Sequence, residues 1–133
     1  MTQIGKFGDI TPKQATRLRK AGVRTTASLL RRAATRRGRT ELAAATNIPQ
    51  RQLQRWANQA ALLELPGLGS EYGKLLFAAG VDTVKDLRRR NATALLAKII
   101  GLNGQKRVVR RLPTEGIVQG WIDAAKEMEP RIS

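Results

Sequence analysis

The sequence holds no cysteine and no histidine. Disulfides, thiolate nucleophiles, Ser-His-Asp catalysis and the usual zinc sites are therefore excluded. Aromatic residues are scarce, at 4%, so few rings could stack on unpaired RNA bases. No apolar stretch approaches the roughly 20 residues needed to span a membrane, and no membrane partner is expected. The opening MTQIGKFGDI lacks the apolar core of a secretion signal, so a cytoplasmic location is the expectation. Carboxylates are also few, ten Asp and Glu against 25 Lys and Arg. No set of groups offers both a nucleophile and a tuned base. Asp82 and Asp86 sit four residues apart at one helix end, and capping and helical pairing with Arg89 or Arg90 explain them adequately. The sequence thus reads as a non-enzymatic protein with no catalytic residues, no metal and no cofactor.

What is present in excess is positive charge. The 133 residues carry a formal charge of +15. A surplus of that size repels itself in a compact state, and a polyanion that offsets it is the natural partner. Nucleic acid is the first candidate. The surplus is uneven: residues 1–61 hold 13 Lys and Arg against 2 acids, and residues 62–133 hold 12 against 8. The first half is the better candidate for the side that meets an anion.

The chain repeats itself after 58 residues. Residues 10–35, ITPKQATRLRKAGVRTTASLLRRAAT, lie over residues 68–93, LGSEYGKLLFAAGVDTVKDLRRRNAT. Identical pairs include Leu18 and Leu76, Gly22 and Gly80, Val23 and Val81, Thr25 and Thr83, and Leu29 and Leu87. A looser echo matches Pro49, Leu53 and Trp56 with Pro113, Val118 and Trp121. The chain therefore divides into two copies, 1–61 and 62–133, expected to pack as one compact helical domain because neither has much core alone.

Helix signals run throughout, and nothing alternates like a strand, so the fold class is all-α. Thr11 caps a helix that Pro12 opens, and Gly22 suits the left-handed residue that closes it. Thr25 caps a second helix expected to reach about residue 36, with Leu29, Leu30 and Ala33 inward. Thr40 is expected to cap a short helix over ELAAAT. Pro49 opens a longer one with Leu53, Trp56, Ala60 and Leu63 along one stripe. In the second copy a helix runs from Ser70 to Gly80, and Asp82 or Thr83 opens the next. Asn91 caps one reaching about 103, and Thr114 caps the last, with Ile117, Trp121 and Ala125 aligned.

The stretch LPGLGSEYGKLLFAAG, residues 65–80, places two glycines around Leu68 directly ahead of a helix. Gly67 and Gly69 permit positive φ and carry no side chain to block an approaching ligand. Leu68 can tuck into the core. The amides of Gly69, Ser70 and Glu71 then head a helix, where donors and dipole favour an anion, and Lys74 lies one turn on. The bland reading is a tight corner in a helical core.

PGLGxxxGxxL resembles the signature of helix-hairpin-helix elements. That resemblance implies hairpin amides on the DNA phosphodiester backbone, without sequence readout, and assigns the contact to Gly67, Leu68, Gly69 and Lys74. Glu71 departs from it by placing a negative charge beside the phosphate. The first copy, FGDITPKQATRLRKAG, is degenerate: Asp9 and Thr11 replace the glycines. Its Lys13, Arg17 and Lys20 are more basic than their counterparts, so the copies could divide labour. Over residues 8 to about 127, with AAGVDTV and RRLP…W as the most specific pieces, the chain resembles an uncharacterised prokaryotic family. That family is known as a domain of unknown function with paired helix-hairpin-helix repeats, and the resemblance implies a fold more than an activity.

Three basic runs complete the site reading. RRAATRRGR, residues 31–39, holds Arg31, Arg32, Arg36, Arg37 and Arg39, expected at a helix end running into a loop. DLRRR holds Arg88, Arg89 and Arg90, and KRVVRR covers 106–111. Residues 40–60 also resemble a helix-turn-helix, with Gln50, Arg51, Gln54 and Arg55 facing outward; the match of Pro49 and Trp56 to the second copy favours an ordinary closing helix. The function expected is sequence-independent binding of duplex DNA, with basic clusters for affinity and hairpins for register. The competing expectation is an interaction module whose arginines meet an acidic protein partner.

Overall fold

In a computed structural model of the chain, residues 3–105 and 111–132 are described. They form a short 3-10 turn at Ile4–Lys6 and eight α-helices: α1 Pro12–Lys20, α2 Thr26–Ala33, α3 Arg36–Thr46, α4 Gln50–Leu62, α5 Gly69–Ala78, α6 Val84–Leu87, α7 Ala92–Gln105 and α8 Glu115–Glu127. Among the described residues there is no strand, only an isolated antiparallel bridge between Gln3 and Thr25. The fold is all-α. The chain divides into two compact units, residues 1–61 with 130–133, and residues 62–129.

Local chemistry sets the helix starts. Thr11, Thr25, Thr35, Thr83 and Thr114 each accept a hydrogen bond from an amide three residues on, which satisfies a donor that the helix itself leaves unpaired. At Thr11 the bond is reciprocal, because the Gln14 side chain accepts from the Thr11 amide at 3.0 Å. Asn91 does the same work for α7 through the Ala94 amide at 3.0 Å.

The two units share local structure at several positions of the repeat. Gly22 and Gly80 take φ of 89° and 90°. The next amide reaches back to a buried leucine in both, from Val23 to Leu18 and from Val81 to Leu76, each at 2.9 Å. Leu18, Leu76, Val23, Val81, Leu29 and Leu87 are all fully buried. The first unit buries Ile4, Phe7, Leu42, Ile48, Leu53 and Trp56 as well. The second gathers its own cluster, from Leu62 and Leu68 through Leu95 and Ile99 to Trp121 and Ala125.

Three sequence expectations are corrected. α2 stops at Ala33 rather than near 36, because Thr35 turns outward and caps α3 through the Gly38 amide at 3.0 Å. Thr40 is therefore no cap: it lies inside α3 and its hydroxyl donates to the Arg36 carbonyl at 3.0 Å. On α8 it is Val118 and Ile122, not Ile117, that join Trp121 and Ala125 inside; Ile117 is 45% exposed.

Candidate nucleic-acid interface

The second unit's hairpin is built as its sequence suggests. Leu65 and Leu68 are buried, and the Leu68 amide donates to the Leu65 carbonyl at 3.2 Å. Gly67 and Gly69 on either side are exposed and take φ of 77° and 68°. A side chain would be strained there, and a β-carbon at either position would meet nothing within 4 Å. α5 begins at Gly69, and Leu68 ahead of it offers no side-chain cap. The first amides of α5, at Gly69, Ser70 and Glu71, thus head the helix uncapped behind two glycines that leave the backbone open. Lys74 is exposed one turn on, and Glu71 adds its carboxylate in the first turn.

The first unit's hairpin is closed by its own side chains. At the position of Gly67 stands Asp9, whose carboxylate accepts from the Trp56 indole at 2.7 Å and from Arg55 at 2.8 Å. Burial alone would raise the Asp9 pKa, but these two donors and the Arg55 charge outweigh it and hold the carboxyl below its ordinary 3.8. At the position of Gly69 stands Thr11, which caps α1 by exchanging hydrogen bonds with Gln14. Asp9 is therefore a pin between the hairpin and α4.

Residue by residue, the basic candidates separate. Lys13, Arg17 and Lys20 follow a four- and three-residue spacing on α1, which puts them on one stripe, with Lys13 and Lys20 exposed and Arg17 half-buried. The 31–39 run is not a loop: it straddles the junction of α2 and α3. Arg31 and Arg36 are exposed there. Arg32 is exposed too, and donates to the Ala21 carbonyl at the end of α1 at 2.9 Å. Arg37 pairs with Glu41 at 3.2 Å. Arg39 lies inside, 5% exposed, and donates to the Ala33 carbonyl at 2.9 Å; it closes α2 instead of facing outward.

In the second unit Arg89 is exposed. Arg88 is half-buried and reaches the Met128 carbonyl at 3.4 Å, and Arg90 makes two bonds to Asp86 at 3.1 and 3.3 Å. The KRVVRR run lies outside the described residues except for Arg111, which is exposed. On α4, Gln50, Arg51 and Gln54 are exposed while Arg55 is held by Asp9. Two basic residues that the sequence did not single out, Arg19 and Arg24, line one cleft. They are brought there by the Gln3–Thr25 bridge, which has no sequence signature.

A family model described as Domain of unknown function (DUF4332) matches residues 8–128. The chain belongs to this family. No curated protein and no solved structure matches it. Among the described residues of this DUF4332 member, no three His, Cys, Asp or Glu side chains group as a metal site, and no helix is long and apolar enough to cross a membrane.

Proposed function

We propose that this DUF4332 protein binds duplex DNA through its phosphates, with little regard to sequence, and catalyses no reaction. The observation that carries the reading is the uncapped N-terminus of α5 behind Gly67 and Gly69, in a chain with fifteen surplus positive charges. Backbone donors at a helix start suit a phosphate oxygen, and two bare glycines let a polynucleotide backbone come close. In this reading the units are tandem helix-hairpin-helix repeats, the family is a prokaryotic one built from such pairs, and the protein works in the cytoplasm. The second hairpin fixes register. Lys13, Arg17 and Lys20, with Arg31 and Arg36, supply charge.

Fluorescence anisotropy on a random-sequence duplex tests this. Binding is expected to be micromolar or tighter at low salt, and the Lys74→Gln and Gly69→Ala variants to bind more weakly, with thermal melts confirming that both stay folded. Absence of binding at low salt overturns the reading and points to an acidic protein partner.

A further inference from the structure

The first unit holds a further basic feature besides its own hairpin. A cleft of about 280 Å³ is lined by Gln3, Arg19, Arg24 and Thr25. It forms where the start of the chain is stitched to the connection between α1 and α2. Gln3 bridges Thr25, and the Ile4 amide donates to the Arg24 carbonyl at 2.9 Å. Arg19 is laid against the 3-10 turn: its Nη2 stands 2.5 Å from where a β-carbon on Gly5 would be. A glycine at position 5 is what leaves room for that guanidinium.

Two like charges in one cleft repel each other, so an acid would be the ordinary neighbour. None is available from the first 61 residues. That stretch has two carboxylates, and both are engaged: Asp9 with Arg55 and Glu41 with Arg37. Among the described residues, neither Arg19 nor Arg24 has a carboxylate partner. The cleft is therefore lined by two arginines without a carboxylate partner and by the Gln3 side chain, while the Thr25 amide and hydroxyl are held by Ser28 in the cap of α2.

We propose that this cleft is a binding site for a phosphomonoester. The charge decides the ligand class. A monoester phosphate carries about −1.5 to −2 at neutral pH, which matches two guanidiniums, and their planar forks suit its oxygens. A backbone diester carries one charge and comes as a continuous strand, which suits the open hairpin better than a cleft. The ligand comes either from the phosphorylated end of a nucleic-acid strand or from a free nucleotide. The site needs a phosphate and not a duplex, so it stands apart from the DNA reading.

NMR titration of the full chain with inorganic phosphate tests it. Saturable shifts are expected at the Gln3 and Thr25 amides and at the Arg19 and Arg24 Nε–H signals. Arg24→Gln should weaken this binding about tenfold or more, the worth of a charged hydrogen bond. Gly5→Ala should weaken it too, by displacing Arg19 without changing the charge. With AMP as the ligand, affinity should fall below about pH 6, where the monoester dianion takes up a proton and loses one of its two charges. Displacement of phosphate by a 5′-phosphorylated duplex but not by a 5′-hydroxyl duplex assigns a strand end. Displacement by AMP alone assigns a free nucleotide. Shifts that grow linearly without saturation, or that persist unchanged in Arg24→Gln, overturn the site. The 5′-hydroxyl duplex, followed by anisotropy in the same samples, reports the DNA reading separately.

Discussion

Asp9 and Gly67 occupy the same place in the two copies and do opposite things. Asp9 joins its hairpin to α4 through Trp56 and Arg55. Gly67 has no side chain to offer, and Trp121, the counterpart of Trp56, is 2% exposed with its indole nitrogen unpartnered. Its ring instead lies 5.3 Å from that of Tyr72, tilted by 51°. Trp56→Phe and Trp121→Phe each remove a buried indole, but only the first takes a hydrogen bond from a carboxylate, which keeps its Arg55 partner. In urea melts Trp56→Phe is expected to cost about 1.5–3 kcal/mol more than Trp121→Phe, the worth of a hydrogen bond to a charged group. Equal losses would mean that the Asp9 bond adds nothing.

The same residue gives a pH dependence. Asp9 has a depressed pKa when folded, so it stabilises the protein above its unfolded value near 3.8, and this is lost as pH falls through the lower folded value. Asp9→Asn should flatten that acid limb of a melting-temperature profile and leave the limb above pH 5 parallel to the wild type. The sequence made Asp9 visible only as a replacement for a hairpin glycine. Its partners lie 46 and 47 residues away, and nothing local announces them.

At the scale of the element, the α2–α3 junction decides where five arginines point. Thr35 ends α2 and caps α3, and Gly38 sits in the first turn with its hypothetical β-carbon 2.1 Å from the Arg32 carbonyl oxygen. Backbone cannot yield as a flexible side chain can. Gly38→Ala should therefore destabilise the chain, although alanine ordinarily gains about 1 kcal/mol over glycine in a helix. Thr35→Ala should cost about 1 kcal/mol from the lost cap. Calorimetric or urea unfolding measures both, and a more stable Gly38→Ala variant would contradict the packing. This boundary was hard to read for a physical reason. A glycine among arginines looks like a loop, and Thr35 and Thr40 are equally good caps until tertiary packing chooses. Thr11, Thr25 and Thr114 were legible because each stands directly before an apolar period, whereas Thr83 shared the start of α6 with Asp82 as a rival cap. Leu68 and its two glycines were legible for a similar reason, since positive φ and a buried leucine need only local sequence. Arg39 was not: its burial depends on the Ala33 carbonyl that α2 leaves open.

At the scale of the whole molecule, the charge balance is the central quantity. Its total was readable by counting, but its disposition was not, because pairing is tertiary. Arg32, Arg37, Arg39, Arg55 and Arg90 are engaged within the fold, while Lys13, Lys20, Arg31, Arg36, Lys74 and Arg89 are exposed. Exposed side chains such as the second group can release counterions from a duplex. The most direct measurement is the affinity for a random-sequence duplex across a salt series from about 50 to 200 mM. Phosphate-borne binding predicts a straight log–log line falling with a slope of about −0.9 for each phosphate neutralised, the same for unrelated sequences and shallower by about one unit in Lys74→Gln. A slope near zero, or affinity that follows sequence and ignores salt, would contradict it.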